Sequence, residues 1–590
     1  MTVSDYIMEF LVSKNANTIF MITGGQAMWL DDAVCRNKKI KFICTHHEQA
    51  AGMAAEAYGR ITGKLGVALV TAGPAAVNVL NGVVGGWTDS SPMMVISGQA
   101  PLAHVQYQQK TKIRQYGIQG INIKPLMEKV VKYFITVDDP SLIKYYLQKA
   151  YYLATSGRVG PVWIDVPLDI QNTTVPDKFL KEFIPEKETL DNSLTTKITE
   201  TISLIKNAKR PIILAGQGIR NGKAVDEFYK LIDKMPMPIL TSRLAIDLIN
   251  SDHKLYVGRP GNYGERSAHF AIQNSDLIVV LGCRLATALI GHNPKDWGRN
   301  AKKIVVDIDE EELAKPGVDI YLKIHSDIKI FLNELLKQTK STKFPDFTKW
   351  INQCNQWKEK YPVVLSEYKK EKPINSYYFT ERLSKFASSK DMVMVDTGSC
   401  FHIVCQAWKV KKGQRFLTTG GISSMGYWVA GLGACAANNY ENTIVVTGDG
   451  SLQMNIQEFA TIKHNNLPIK TFIFNNDGYL LIRQTQKNFM DGRLIGEGDK
   501  TGVWCPDSIK IAKAYGIKGV RISSVKDMDK QIKEVLDYPG PVICDVMTPP
   551  WQLIIPRTAS FKNEEGKLIP KPYEDMFPFL SKEELESNIL

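Results

Sequence analysis

Short apolar runs recur along the chain, each closed by Gly, Asp or Asn and followed by a stretch with helical spacing. This alternation is the pattern of parallel α/β sheets, whose strands are buried on both faces by crossover helices. The runs fall into three blocks. In residues 1–180 the predicted strands are TIFMITGG, KFICT, GVALVTAG, PMMVISGQ and GPVWIDVP. In 190–340 they are RPIILAGQG, MPILTS, DLIVVLGCR and KKIVVDIDEEE, and in 365–548 DMVMVDTGS, RFLTTGG, TIVVTGDG, IKTFIFNND and GPVICDVM. The expectation is an α/β protein of three doubly wound parallel-sheet domains. TTVPDKFLKEFIPEKETLDN and KQTKSTKFPDF, rich in charge and Pro, read as linkers. Residues 549–590 read as a Pro-rich tail, irregular until a final helix. The opening MTVSDYIMEFLVSKN reads as an amphipathic helix capped by Ser4 or Asp5.

Length agrees, since 590 residues suit about three domains. No uncharged apolar window of about 18 residues is present, so no membrane span is expected. The N-terminus lacks the basic start and small-residue cleavage site of a signal peptide. The chain has nine Cys with no C-x-x-C pair, which reads as a reduced, cytoplasmic protein with buried thiols. The net charge is +12, but the lysines are dispersed among acids with no basic run of five. Nucleic acid is therefore not an expected partner, and anionic small molecules account for the sign as well.

The most specific chemistry lies in TIVVTGDGSLQMNIQEFATIKHNNLPIKTFIFNND, read as strand, turn, helix, strand. Leu452, Ile456, Phe459 and Ile462 recur at helical spacing. Asp449 ends one strand, and Asn475–Asn476 end the next. In a βαβ unit both ends lie on one edge, where open α/β sheets bind ligands. Gly448 and Gly450 allow close backbone approach. Asp449, Asn476 and the Gly478 carbonyl offer hard oxygen ligands which, with phosphate oxygens, suit Mg²⁺. The helix start after Gly450, at Ser451, favours phosphate charge. A lone GDG is usually only a turn. GDG followed by an Asn pair ending 27 positions after Asp449 is much more specific.

This spacing resembles the fingerprint of the thiamin diphosphate enzymes, and HHEQAAGMAAEAYGRITG resembles the corresponding segment of the acetolactate synthase family. Taken alone, Glu48 is a first-turn acid of a helix. The resemblance implies that Glu48 is a buried carboxyl contacting N1′ of the aminopyrimidine, so that the cofactor loses its C2 proton. It also implies that Met425, in GGISSMGYWVAG, wedges between the cofactor rings, and that Gly398 and Ser399, in VDTGSCFH, hold the diphosphate. The three domains become pyrimidine-binding (1–180), central (190–340) and diphosphate-binding (365–548), with the tail (549–590) covering the active site. A homodimer or homotetramer follows, because in that family the diphosphate and the pyrimidine are held by different subunits.

Other segments match with departures. TAGPAAVNVLNGVVGGWTDSSPMMVISGQ keeps Pro74 and Asn78, but Ala75 replaces the usual Gly and Val77 the usual Thr. MITGGQAM matches the loop beside the reacting carbons through Gly25, but puts Gln26 where a small residue is usual. At a loop tip Gln26 would be solvated; at this alignment it points into the acceptor pocket. RQYGIQGINI aligns Gln119 with an active-site Gln, with Ile118 and Gly120 departing. Thr485 stands nine positions after Asn476, where the synthases carry a Trp that shapes the acceptor pocket. The tail GKLIPKPYEDMFPFLSKEEL resembles that of synthase-like proteins from bacterial surface-polysaccharide gene clusters. ILAGQGIRNG, VGRPGNYGERSAH and VVDIDEEEL occupy the places where the synthases wrap FAD; Gly216, Gly218 and Asp307 or Asp309 are the candidates, with a structural role for the flavin.

The resemblance thus implies decarboxylation of pyruvate and transfer of the two-carbon unit to a carbonyl acceptor, with a nucleotide-linked ketosugar suited to the missing Trp and the added Gln. The alternatives are a simple 2-oxo acid decarboxylase, which the pair His46–His47 would suggest, and a non-catalytic cofactor-binding protein.

Overall fold

The computed structural model describes residues 1–175, 181–186, 193–562 and 564–590. Part of the first expected linker, and the boundary drawn at 180–190, lie outside the described residues. Three six-stranded sheets are present, all parallel. The first runs, edge to edge, Lys41–Cys44, Thr18–Met21, Gly66–Val70, Met93–Gln99, Pro161–Pro167 and Tyr133–Thr136. The third runs Phe416–Thr418, Met392–Val395, Thr443–Gly448, Ile469–Asn475, Val542–Met547 and Lys518–Ile522. Numbered within each domain, both have the order 2-1-3-4-6-5. The middle sheet runs Leu322–His325, Lys302–Asp307, Leu277–Leu281, Pro211–Ala215, Ile239–Thr241 and Tyr256–Gly258, which is the 3-2-1-4-5-6 order of doubly wound nucleotide-binding folds.

Sheet order decides where ligands go. Where neighbouring strands lead their helices to opposite faces, a crevice opens beyond their carboxyl ends. In the first sheet that point lies between Thr18–Met21 and Gly66–Val70, and in the third between Met392–Val395 and Thr443–Gly448. In the middle sheet it lies between Pro211–Ala215 and Leu277–Leu281.

Every expected strand forms. Six more were not anticipated: Tyr133–Thr136, Tyr256–Gly258, Leu322–His325 and Lys518–Ile522, each at the edge of a six-stranded sheet, and Ser560–Lys562 with Leu568–Pro570, an antiparallel pair in the tail expected to be irregular until its final helix. Two local expectations change. The first helix, Val3–Ser13, is capped by Thr2 rather than Ser4 or Asp5; Thr2 and Asp5 form a reciprocal capping box. The stripe through Leu452, Ile456, Phe459 and Ile462 is not one helix, because Asn455 at φ +70° splits it into Asp449–Leu452 and Glu458–His464.

The first and third domains share one core through helix Glu48–Thr62, which packs on helix Ala430–Ala437. Small residues set that approach. A Cβ on Gly433 would lie 1.9 Å from the Ala54 carbonyl oxygen; within the first domain, one on Gly82 would lie 2.3 Å from the Gly52 carbonyl carbon. The tail mainly follows the middle domain: Tyr573 stacks on His269 at 3.9 Å, Glu574 pairs with Arg299 at 2.6 Å, and the Trp357 indole donates to Asn588 at 2.8 Å. Only its start nears the Asn476 loop, where the Gln552 carbonyl accepts from Gln484 and Trp551 lies under Arg483. No helix of the described residues is long and apolar enough to cross a membrane. Gly433→Val is expected to overpack this seam, costing about 1–3 kcal/mol; a lower denaturation midpoint with unchanged m-value checks it.

Candidate active site

The residues singled out in the third domain converge at its switch point. Asp449, buried, ends the turn after Thr443–Gly448. Its Oδ1 accepts from the Gly450 N–H at 2.8 Å, and its Oδ2 from the N–H groups of Asn476 at 3.2 Å and Gly478 at 3.0 Å. The two strand ends are therefore tied through one carboxylate. Burial pushes the Asp449 carboxyl up to about 6, partly offset by these backbone donors. Asn476 Oδ1 is buried with no hydrogen-bond partner. A buried amide oxygen left empty is costly, and it lies in the loop whose backbone binds Asp449. The Gly478 carbonyl accepts no hydrogen bond among the described residues.

Local backbone explains why these residues hold such positions. Gly478 has φ +117°, and a Cβ there would meet the Glu497 carbonyl oxygen at 2.1 Å. A Cβ on Gly450 would meet the Tyr479 ring at 2.3 Å. Gly448 faces open space, so close approach accounts for Gly450 but is not required at Gly448. Arg483, which the sequence reading missed, clamps the loop: it donates to the carbonyls of Asn476 at 3.1 Å and Asp477 at 2.6 Å and pairs with Glu497. Gly398, at φ +92° with open space beyond it, precedes helix Ser399–Ala407. Asn476 Nδ2 reaches Ser399 Oγ at 3.4 Å.

Ser451 is already engaged. Its hydroxyl donates to Asp396 at 2.6 Å and accepts from the Gly426 N–H at 2.8 Å. Asp396 also accepts from Thr447 at 2.7 Å and from the Thr397 N–H at 2.8 Å; burial raises its carboxyl to about 6. This second missed residue joins the 396–399 loop, the Asp449 turn and the residue after Met425. Met425 itself is half-buried at the edge of the cleft.

In the first domain a second group gathers at the equivalent switch point. Glu48 opens helix Glu48–Thr62, capped by His47, whose Nδ1 accepts from the Gln49 N–H at 3.1 Å. The Glu48 carboxylate accepts from Asn78 Nδ2 at 3.0 Å. Pro74 starts the turn carrying Asn78, behind Gly73 at φ +64°, where a Cβ would strike the Gln119 carbonyl at 2.4 Å. Gln119 itself is exposed at φ +57°. Gly25 and Gln26 form a tight turn whose Gln26 N–H donates to Thr71 at 3.2 Å. Gln26 is not solvated: its side chain is buried and its Oε1 has no partner. Glu48 is half-buried rather than enclosed, contrary to the expected buried carboxyl.

Among the described residues no hydrogen bond or ion pair directly joins Glu48 to Asp449 or Asn476. The link is indirect. Glu458, nine residues past Asp449, accepts from the His46 N–H at 2.9 Å and from Thr461 at 2.7 Å. It thereby fixes the backbone that launches Glu48. The pairing spans 412 positions, so no local signal pointed to it.

The middle domain presents a crevice of about 590 Å³ at its switch point, lined by Gly218, Gly282 and Asp307 among others. Gly216 and Gly218 pack on Gly282, where a Cβ on Gly216 would lie 2.0 Å from the Gly282 oxygen. Asp307 ends its strand, and Asp309 caps the next helix. Gln217 Oε1, also at the crevice, is buried without a partner.

Two sheets of one topology with matched polar crevices, and a third of nucleotide-binding order, define a three-domain thiamin diphosphate enzyme. Comparison with known proteins agrees. The chain matches the thiamine pyrophosphate enzyme models for the N-terminal TPP binding domain over 1–131, the central domain over 198–335 and the C-terminal TPP binding domain over 396–546. It is 31% identical over 583 residues to the acetolactate synthase large subunit of Cyanidium caldarium, covering 95% of this chain and 96% of that protein. It is also 31% identical over 569 residues to the probable acetolactate synthase large subunit of Methanococcus aeolicus, covering 93% and 92%. The chloroplastic acetolactate synthase of Arabidopsis thaliana is 28% identical over 575 residues, covering 94% and 83%. The chain belongs to the acetolactate synthase large-subunit family and is a thiamin diphosphate-dependent carboligase.

Glu458 yields a test of the link between domains. Burial raises its carboxyl to about 7. A carboxyl raised in the fold contributes stability below its unfolded value, near 4.5, which is lost as pH rises through about 7. Glu458→Gln cannot ionise, so its stability relative to the parent is expected to improve between pH 5.5 and 8.5, read by denaturant unfolding. Glu458→Ala is expected to lose about 1–3 kcal/mol at pH 5.5, because the His46 N–H loses its acceptor, and less at pH 8.5, where the parent carries the cost of the ionised carboxyl.

Proposed function

We propose that this protein decarboxylates pyruvate and transfers the two-carbon unit to a carbonyl acceptor, which in this chain is a nucleotide-linked ketosugar. The observation that carries the metal and cofactor site is the empty, buried Asn476 Oδ1 beside a carboxylate aimed by three backbone donors. Asp449, Asn476 and the Gly478 carbonyl suit Mg²⁺, which takes few protein ligands and completes its shell with phosphate oxygens and water. Gly398, Ser399 and the Ser451 amide would hold the diphosphate, with Gly450 allowing close approach while its own N–H serves Asp449 Oδ1.

The bound thiazolium supplies the electron sink for loss of CO₂ and for carbon–carbon bond formation. The chain supplies geometry and proton control. Met425 gives the apolar wedge under the cofactor rings. Glu48 holds a proton at the pyrimidine N1′, with Asn78 orienting its other oxygen. Gln26 and Gln119 bring polar atoms to the acceptor side. Glu48 needs a covered setting to do this, and the exposed side chains of Trp29, Phe42, Trp87 and Ile118 suit burial against a second copy; the functional unit is a homodimer or homotetramer in the cytoplasm, consistent with nine free thiols.

A larger acceptor is favoured by Thr485. It is exposed on helix Leu480–Phe489, its hydroxyl turned back to the Leu481 carbonyl at 2.9 Å, so this position itself adds no bulk between the exposed Ile482 and Phe489 that share its face. FAD suits the strand-end crevice of the middle domain through Gly216, Gly218 and Asp307, in a structural role.

The experiment is carboligation of labelled pyruvate against 2-oxo acids, aldehydes and nucleotide-linked ketosugars, read by mass spectrometry. The expected product is a two-carbon adduct of a ketosugar; acetaldehyde alone would mean a simple decarboxylase, and no CO₂ release with any acceptor a binding protein. Asp449→Ala is expected to weaken Mg²⁺-dependent cofactor binding at least about tenfold, read by tryptophan fluorescence without turnover.

A further inference from the structure

No Asp or Glu occurs between Asp89 and Glu128, in a chain whose 590 residues include 61 acids. The charges in that stretch are Lys110, Lys112, Arg114 and Lys124. Lys110 ends helix Leu102–Lys110, and Lys112 and Arg114 follow in the loop that returns to Gln119. The side chains of Lys110, Lys112 and Arg114 are exposed, and among the described residues they make no hydrogen bond or ion pair. Asp169 meets the opposite end of the helix, where it accepts from the Leu102 N–H at 2.9 Å.

The loop is built onto the helix. His104 and Tyr107 share one helical face, and the returning Tyr116 packs on both, with ring centroids 4.1 Å from His104 and 5.5 Å from Tyr107. The buried Gln108 donates to the Gly120 carbonyl at 3.2 Å. Gly117, at φ +83°, permits the close return, since a Cβ there would lie 2.7 Å from His104 Nδ1. Tyr107 and Tyr116 nevertheless stay 52% and 43% exposed, so both present ring surface to solvent beside the cations. At its inner end the loop delivers Gln119, whose carbonyl backs on Gly73, ahead of the Pro74–Asn78 turn that holds Glu48. The cations therefore lie at the outer end of the same segment whose inner end reaches the first domain's switch point.

Exposed lysines are ordinarily just solvated. Two features set these apart: the absence of any acid in the segment, and the open tyrosine rings next to them. Positive charge alone suits any anion; joined to aromatic faces it suits an anion that carries a flat base. Unpaired cations are poorly suited to burial in a protein seam, so this tip differs from the apolar side chains suited to a second copy. We infer that Lys110, Lys112 and Arg114 bind the diphosphate of a nucleoside diphosphate-linked ketosugar, that Tyr107 and Tyr116 take its base, and that its carbonyl is thereby held toward Gln119. This rests on the acceptor reading above and leaves the middle-domain crevice to the flavin.

Two measurements on the full-length protein test it, with FAD in excess so that the middle-domain crevice is filled. ADP, CDP, GDP and UDP are titrated in turn, by calorimetry at several salt concentrations, into the parent and the triple variant Lys110→Gln/Lys112→Gln/Arg114→Gln. KM is then measured for a nucleotide-linked ketosugar and for an uncharged aldehyde. The triple variant is expected to weaken nucleotide binding and raise the ketosugar KM by about tenfold to a hundredfold, to flatten the fall of affinity with salt, and to leave the aldehyde KM within about twofold. Tyr116→Leu is expected to raise the ketosugar KM about fivefold or more, with Tyr116→Phe close to the parent. Nucleotide binding that depends on the three cations, without carboligation onto any nucleotide-linked ketosugar, would support the site and overturn the acceptor reading. No nucleotide binding by the parent, equal binding or an unchanged ketosugar KM in the triple variant, or binding of poly-L-glutamate but of none of the nucleotides, would overturn the site.

Discussion

The buried Arg60 guanidinium is the contact on which the arrangement of domains depends. It pairs with Glu56 and Asp89 at 3.1 Å each, and donates to the Thr418 carbonyl at 2.9 Å and the Tyr427 hydroxyl at 2.7 Å. Asp89 in turn accepts from the N–H groups of Gly420 at 2.8 Å and Gly421 at 2.6 Å, and Tyr427 donates to Glu56. Arg60 and both acids belong to the first domain, and Thr418, Gly420, Gly421 and Tyr427 to the third. So the segment from Thr418 to Tyr427, which carries Met425, is held from outside its own domain. A buried network of this kind adds little net stability over an apolar seam, but losing one member leaves an uncompensated charge at about 3–5 kcal/mol. What it confers is a single geometry for that segment.

The Asp449 site is built on the same economy of backbone. Asp396 draws three loops together through Ser451, Thr447 and Thr397, and Arg483 takes up the carbonyls of Asn476 and Asp477. With those groups satisfied, Asn476 Oδ1 and the Gly478 carbonyl stand out as acceptors left over. Orphaned polar atoms are rare in a packed interior. Both lie in the Asn476–Gly478 loop whose N–H groups hold the Asp449 carboxylate, which adds a structural argument for a metal to the spacing of the motif.

That spacing was nevertheless legible, because a βαβ unit constrains the distance between its strand ends. Central strands were legible for a related reason: Thr443–Gly448 and Ile469–Asn475 are buried on both faces and read as unbroken apolar runs. The domain strands that escaped notice are sheet edges. Leu322–His325 alternates buried and exposed, and Lys518–Ile522 is mostly exposed, so neither carries such a run. The break at Asn455 was hidden, since the apolar stripe continues across it and only φ +70° reveals the turn. The partners that position the site, Glu458, Asp396, Arg483 and Arg60, were invisible for another reason. Each acts through contacts with groups far along the chain or on the backbone, and residue type alone gives no hint of either.

The division between shared and particular chemistry follows the sheet orders. The first and third domains repeat one topology and place Glu48 with Asn78, and Asp449 with Asn476, at one kind of switch point. The middle sheet has a different order, and its crevice reaches the same region from the side. There, Arg158, Arg284 and Lys315 are neutralised by Glu312, and Arg158 also by Asp309. Buried charge is used in two ways: Arg60 is paired with Glu56 and Asp89 and fixes how the first and third domains meet, whereas the Asp449 and Asp396 carboxyls are held by backbone N–H and hydroxyl donors alone and fix the strand-end loops.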